Sequence, residues 1–98
     1  MPKLDEMAVQ EALKQLPGWS VENSKLHREL KFADFPHAIG FLTTASISIE
    51  KMNHHPEWSN VYNRVVIDLI SHDENGITSR DIKLAQLLTN LAKEMNAE

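Results

Sequence analysis

The chain has 98 residues, no cysteine, and a formal net charge of −4 with both signs interspersed. That length is read as one domain over residues 1–98 with a modest core, which burial against a partner subunit would help. The composition excludes a disulfide framework and a thiolate metal site, no basic stripe suits direct nucleic-acid binding, and no apolar run approaches the ~20 residues of a membrane span. The first residues, Met1-Pro2-Lys3-Leu4-Asp5-Glu6, hold no apolar signal core, so a cytoplasmic location is expected.

Residues 5–16 are helical in pattern, with Asp5 as a cap and Val9, Ala12, Leu13 and Leu16 at helical spacing. Pro17-Gly18 stops that helix, because proline has no amide hydrogen and glycine accepts unusual backbone angles. Trp19–Val21 and Leu26–Phe32 read as two strands of a hairpin around Glu22-Asn23-Ser24-Lys25. Leu26, Leu30 and Phe32 share one face and His27, Glu29 and Lys31 the other, so His27 is placed on the solvent side with no role.

The longest element runs from Asp34 to about Asn53, with Asp34 as cap and Pro36 in the first turn. Phe35, Ala38, Leu42, Ala45, Ile49 and Met52 alternate three and four apart, while Ile39 and Ile47 fall off that stripe. A helix on a two-layer domain needs one apolar face. This one has more, and its small residues would let a second helix approach closely, so it is expected to pack on its own sheet and on a symmetry mate.

Trp58–Tyr62 and Arg64–Ser71 read as a second strand pair, with Val65, Ile67 and Leu69 facing the core. His72 projects from the more polar side or from the strand end. Thr78-Ser79-Arg80-Asp81 opens the last helix as a capping box with Asp in place of the usual Glu, and Ile82, Ala85, Leu88, Ala92 and Met95 give its stripe. The order α-β-β-α-β-β-α implies an α+β domain: a two-layer, four-stranded antiparallel sheet with helices on one face.

Three of the five histidines fall between His54 and His72. Imidazole gives and takes protons near neutral pH, so these are the candidates for acid–base chemistry. A His-His-Pro segment also serves simply as a polar turn. A metal site finds little support, because neighbours in extended chain point apart and His54 and His55 would not readily ligate one ion. There is no Cys and no Ser in a Gly-flanked elbow for nucleophilic catalysis. If the helix runs far enough, Glu50 lies one turn from His54 on the same face. Pro56 restricts His55 to extended backbone, and Trp58 and Tyr62 could form a flat wall for a planar ligand, though both also suit an ordinary core or sheet. Asp81 has the plain alternative of pairing with free helix amides.

Together, Glu50-x-x-x-His54-His55-Pro56, Tyr62, His72 and Asp81 resemble the signature of pterin-4a-carbinolamine dehydratases. The neighbouring His54-His55-Pro56-Glu57-Trp58, Asn60-Val61-Tyr62-Asn63 and Ser79-Arg80-Asp81-Ile82 agree, as do Leu16-Pro17-Gly18-Trp19 and Phe32-x-x-Phe35. The resemblance covers essentially the whole chain. Asn53 stands where some relatives carry Asp, a variation expected to be tolerated that bears on how His54 is oriented.

The resemblance implies dehydration of 4a-hydroxytetrahydropterins, the species released when aromatic amino acid hydroxylases use tetrahydrobiopterin. Water leaves the 4a-carbon and a proton leaves the neighbouring ring nitrogen, giving quinonoid dihydropterin. No metal and no redox cofactor is implied. By carry-over, His54 and His72 are the acid–base pair, and His55 acts with them or binds and orients the pterin. Glu50 and Asp81 are supporting carboxylates, and Trp58 supports or binds substrate. The family's dimers and tetramers imply a homodimer or homotetramer, with the helix at 35–52 at the interface. Some animal relatives also serve as dimerisation cofactors of a homeodomain transcription factor, and others have lost the motif and act as assembly factors. A protein-binding module using the helix surface is therefore the alternative, against which the intact histidines weigh.

Overall fold

In the computed structural model, which describes residues 2–98, the elements follow in the expected order. They are α1 (Glu6–Leu13), β1 (Ser20–Glu22), β2 (Lys25–Lys31), α2 (Phe35–Met52), β3 (Glu57–Val61), β4 (Arg64–Leu69) and α3 (Ser79–Glu94). The four strands form one antiparallel sheet in the order β1-β2-β4-β3.

Each helix starts where a side chain supplies the missing acceptor. Asp5 accepts from the Ala8 amide at 2.8 Å and Asp34 from the His37 amide at 2.9 Å. Regular α1 ends at Leu13, three residues short of Leu16, the end of its helical pattern. Lys14, Gln15 and Leu16 continue in tighter turns, each amide bonding three residues back at 3.0–3.3 Å. Leu16 precedes a proline and cannot hold helical backbone easily, yet it is buried in the core. Trp19 lies just outside β1, and its indole N–H donates to Thr89 of α3 at 2.8 Å. Asn23 and Ser24, both with positive φ (54° and 63°), make the two-residue turn into β2.

One sheet face carries Leu26 and Leu30 of β2 and Val65, Ile67 and Leu69 of β4, all buried. They form one apolar cluster with Val9, Phe41, Ile49, Leu84 and Leu88 of the three helices, so the helices cover this face. The buried side of α2 is Ala38, Phe41, Ala45 and Ile49. Phe41 was absent from the expected stripe. It fits three residues after Ala38 as well as Leu42 fits four, and it turns toward Phe32, with ring centroids 5.1 Å apart. Leu42 and Met52 are half-buried, and Phe35 is exposed. Phe35, Ile39 and Ile47 thus form an outward apolar strip, at roughly 60°, 100° and 180° from Ala38 by the 100° step. In α3 the buried face includes Leu84 and Asp81, while Ile82 and Met95 are only partly covered.

The opposite face of the sheet is charged, and it corrects the reading of His27. This side chain is 14% exposed rather than solvated. Its Nδ1 bonds Asp68 of β4 at 2.8 Å and its Nε2 bonds Glu29 at 3.1 Å, with Glu22 of β1 at 3.5 Å. Period two placed it on the outer face correctly, but cross-strand neighbours cover it there. Asp68 above all, then Glu29 and Glu22, hold the imidazolium above the ordinary histidine value of 6.5 against the opposing effect of burial. A raised native pKa stabilises the fold fully below that value and loses the contribution as pH rises through the native pKa. His27→Gln is therefore expected to lower the urea midpoint more at pH 6 than at pH 9. An equal loss at both would overturn this account.

Candidate functional site

The C-terminal end of α2 sets the geometry. Asn53 adopts the left-handed conformation (φ 50°, ψ 44°). Its amide bonds Glu50 O at 3.1 Å while the His54 amide reaches Ile49 O at 3.4 Å, the paired bonds of a Schellman motif. Asparagine tolerates this conformation better than most residues. The turn sends His54 inward and, one residue later, His55 outward.

His54 is buried, with 8% exposure. Its Nε2 is hydrogen-bonded to Asp81 Oδ1 at 2.5 Å. Asp81 is wholly inaccessible, and its Oδ2 accepts from Ser71 Oγ at 2.9 Å and from the Thr78 amide at 2.8 Å. The last of these bonds is half of the capping box that opens α3. The helix-cap and histidine-partner readings of Asp81 therefore hold together, because each role uses a different oxygen. Ser71 Oγ also lies 2.8 Å from Thr78 Oγ1.

His55 is exposed and its Nε2 bonds Glu50 Oε1 at 3.0 Å. The sequence pattern put Glu50 one turn from His54, on condition that the helix continued. The helix stops at Met52, and the turn at Asn53 brings His55 back over Glu50.

His72 stands just past β4, first in the 72–75 loop closed by the Ser71–Gly76 bridge. Arg80 of α3 steadies that loop, donating to both Asp73 oxygens at 2.7 and 2.9 Å and holding the Asp73 carboxyl below the usual range. His72 Nε2 bonds Glu57 Oε2 at 3.0 Å. Glu57 opens β3, and its Oε1 accepts from Lys25 Nζ of β2 at 2.5 Å.

The chain thus gathers His54, His55, Glu57, Ser71, His72 and Asp81 where β3 begins and β4 ends. Trp58 is half-buried on the core face of β3, opposite Ile67, and lines a shallow recess of about 220 Å³ with Glu57, Ser59, Val66 and Asp68. Tyr62 does not join it in a wall. It sits exposed at the far tip of the β3–β4 hairpin with φ 53°, ~13 Å along the strand from Trp58. Ser71 and Glu57 were missed as site residues. Glu57 was legible only as part of His-His-Pro-Glu-Trp, and Ser71 carries no local signal. Among the described residues no group of three or more His, Cys, Asp or Glu is arranged to hold a metal ion.

One pattern unites the histidines. Each hands Nε2 to its own carboxylate: His54 to Asp81, His55 to Glu50 and His72 to Glu57. An ionised carboxylate only accepts, so a neutral ring facing one carries its hydrogen on Nε2 and keeps Nδ1 as its lone-pair nitrogen. Such an arrangement can take a proton at Nδ1 and return it.

Comparison with known proteins points to the same family as the sequence resemblance. A family model described as pterin 4 alpha carbinolamine dehydratase matches residues 2–91. A protein of Solibacter usitatus is 59% identical over 90 residues, covering 92% of this chain and 95% of its own. A protein of Rhizobium johnstonii is 44% identical over 94 residues, covering 94% and 93%. Both carry the name pterin-4-alpha-carbinolamine dehydratase with a provisional qualifier. A crystal structure described as a transcriptional coactivator/pterin dehydratase from Brucella melitensis superposes with a TM-score of 0.89 at 43% identity, covering 92% of this chain and 98% of that one.

Proposed function

The chain belongs to the pterin-4a-carbinolamine dehydratase family, a family of hydro-lyases, and on that premise we propose that it converts 4a-hydroxytetrahydropterins to quinonoid dihydropterin and water by histidine acid–base catalysis. The observation that carries the reading is the set of three imidazoles at one end of the sheet, each held through Nε2 by its own carboxylate. Hydroxide leaves poorly, so one imidazolium protonates it as the bond to the 4a-carbon breaks. A neutral imidazole takes the proton of the neighbouring ring nitrogen as the double bond forms. One proton is given and one received, so the pair's proton count is unchanged, and exchange with solvent returns each ring to its starting form. His54 and His72 are assigned these roles. The exposed His55, tied to Glu50, binds and orients the ring, and Trp58 flanks it.

The reaction recycles a tetrahydrobiopterin-type cofactor, and the expected location is cytoplasmic. No helix among the described residues is long and apolar enough to cross a membrane. The test is to mix the protein with a freshly generated 4a-hydroxytetrahydropterin and follow quinonoid product by absorbance. Acceleration well above the spontaneous rate is expected, and none at micromolar protein would overturn the proposal.

The outward strip of Phe35, Ile39 and Ile47 supports assembly of α2 with copies of itself as a dimer or tetramer. Sedimentation is expected to show that oligomer at micromolar concentration, and Ile47→Glu to shift it to a smaller species. A wild-type monomer would overturn this part. A second reading, a protein-binding module on the same helix surface, is favoured by the Brucella protein's description as a transcriptional coactivator. A partner protein co-purifying through α2, with no acceleration of dehydration, would select it.

A further inference from the structure

We propose that Glu57 is the positioning residue of His72, and that Lys25 in turn fixes Glu57. This rests on the dehydratase reading and goes beyond it by adding two residues to the machinery.

The His72 side chain is 71% exposed in a loop, where a free imidazole turns and exchanges tautomers. Glu57 Oε2 meets its Nε2 at 3.0 Å, while Glu57 Oε1 is taken by Lys25 Nζ at 2.5 Å. The carboxylate is thereby gripped from two elements, β2 and the loop after β4, with its own backbone in β3. Directly across the ladder from Glu57 lies Asp68, a like charge that would repel it. His27 engages Asp68 at 2.8 Å and Lys25 engages Glu57, so each carboxylate has its own partner and the two are kept apart. Lys25 first, then His72, holds the Glu57 carboxyl below its usual range. It is therefore an ionised acceptor, and the neutral His72 ring keeps its hydrogen on Nε2 and its lone pair on Nδ1.

Stability does not explain the arrangement. Exposed ion pairs are screened by solvent and contribute little, so this chain of three residues adds little to folding. The histidines outside the site also differ: His27 and His37 make their shortest carboxylate contacts through Nδ1, to Asp68 at 2.8 Å and Asp34 at 2.6 Å. His27 adds a longer Nε2 contact to Glu29 at 3.1 Å, whereas each site histidine is held by its carboxylate through Nε2, and Glu57 completes that arrangement for the third.

Two measurements test the proposal. The first is the ¹⁵N NMR spectrum of His72, with its ring neutral, in wild type, E57Q, E57A and K25M. A glutamine oxygen can still accept from Nε2–H, so wild type and E57Q are expected to keep the Nε2–H tautomer. E57A is expected to give a mixture. The second is steady-state dehydration. E57A is expected to lower kcat by at most the ~10²–10⁴-fold due to a general base, with KM nearly unchanged. E57Q should recover most of that loss, and K25M should fall between wild type and E57A. An unchanged tautomer and kcat in E57A would overturn the proposal. So would a raised KM at constant kcat in both Glu57 variants, since Glu57 would then bind substrate instead. If the wild type fails to dehydrate the pterin while the tautomer still follows Glu57, the positioning stands and the reading of the reaction falls.

Discussion

His72→Ala and His54→Ala are each expected to lower turnover of 4a-hydroxytetrahydropterin by ~10²–10⁴-fold, the usual contribution of one general acid or base. The two differ in what else they disturb. His72 is exposed, and its removal leaves Glu57 with Lys25, so folding should be intact and the whole loss should appear in kcat. His54 is buried and gives Asp81 one of its three hydrogen bonds. Its alanine variant should also lose about 1–3 kcal/mol, because a buried acceptor is left short of a donor. His54→Gln separates the effects: its side-chain amide can donate to Asp81 but cannot carry a proton through a cycle. Turnover should therefore stay low in the Gln variant while the urea midpoint recovers. If the two imidazoles serve one proton cycle, the double variant should be little slower than the worse single one. Wild-type turnover in either alanine variant would remove that residue from the mechanism. His55→Ala, by contrast, should act mainly on KM, in keeping with a binding role.

The parts of this molecule that were legible in its sequence are those governed by local rules. Caps at Asp5, Asp34 and Thr78, proline at the start of α2 and the turn at Asn23-Ser24 each reflect a short-range demand, and all lie where the pattern placed them. Period two likewise put Val65, Ile67 and Leu69 on the buried face of β4. What escaped depended on neighbours distant in sequence. His27 alternates outward, yet Asp68 of β4, 41 residues away, covers it. Phe41 and Leu42 suit the same helical stripe, and tertiary packing, which includes the contact of Phe41 with Phe32, selects between them. The histidines and Asp81 stood out by residue type and spacing, but their pairing did not. Glu50 reaches His55 instead of His54 because of one left-handed residue, Asn53. Ser71 entered the site through a bridge to Gly76 and a bond to Asp81, neither of which leaves a mark in the local sequence.

Asp81 is the residue whose loss should cost the fold most among those of the site. Its side chain is fully buried and receives His54 Nε2 at 2.5 Å, Ser71 Oγ at 2.9 Å and the Thr78 amide at 2.8 Å. Asp81→Ala leaves those donors facing a small void. Ser71 can fall back on Thr78 Oγ1, already 2.8 Å away, but the imidazole and the amide have no such alternative in the structure. Breaking a buried, hydrogen-bonded charged group of this kind costs about 3–5 kcal/mol. For a small domain with a total stability of roughly 5–15 kcal/mol, that is about a fifth of the total or more. The urea midpoint should fall accordingly with an unchanged slope. Asp81→Asn keeps the shape but offers one accepting oxygen and turns an NH₂ toward a donor, so its loss should be intermediate. If it stays folded, its turnover should still drop, because its oxygen cannot both cap α3 and orient His54. A loss within about 0.5 kcal/mol in the alanine variant, the range of an ordinary surface change, would mean that the buried network does not hold these elements together. A large loss of stability in Asp81→Ala with wild-type turnover in folded Asp81→Asn would separate the cap from the catalysis and leave Asp81 a purely structural residue.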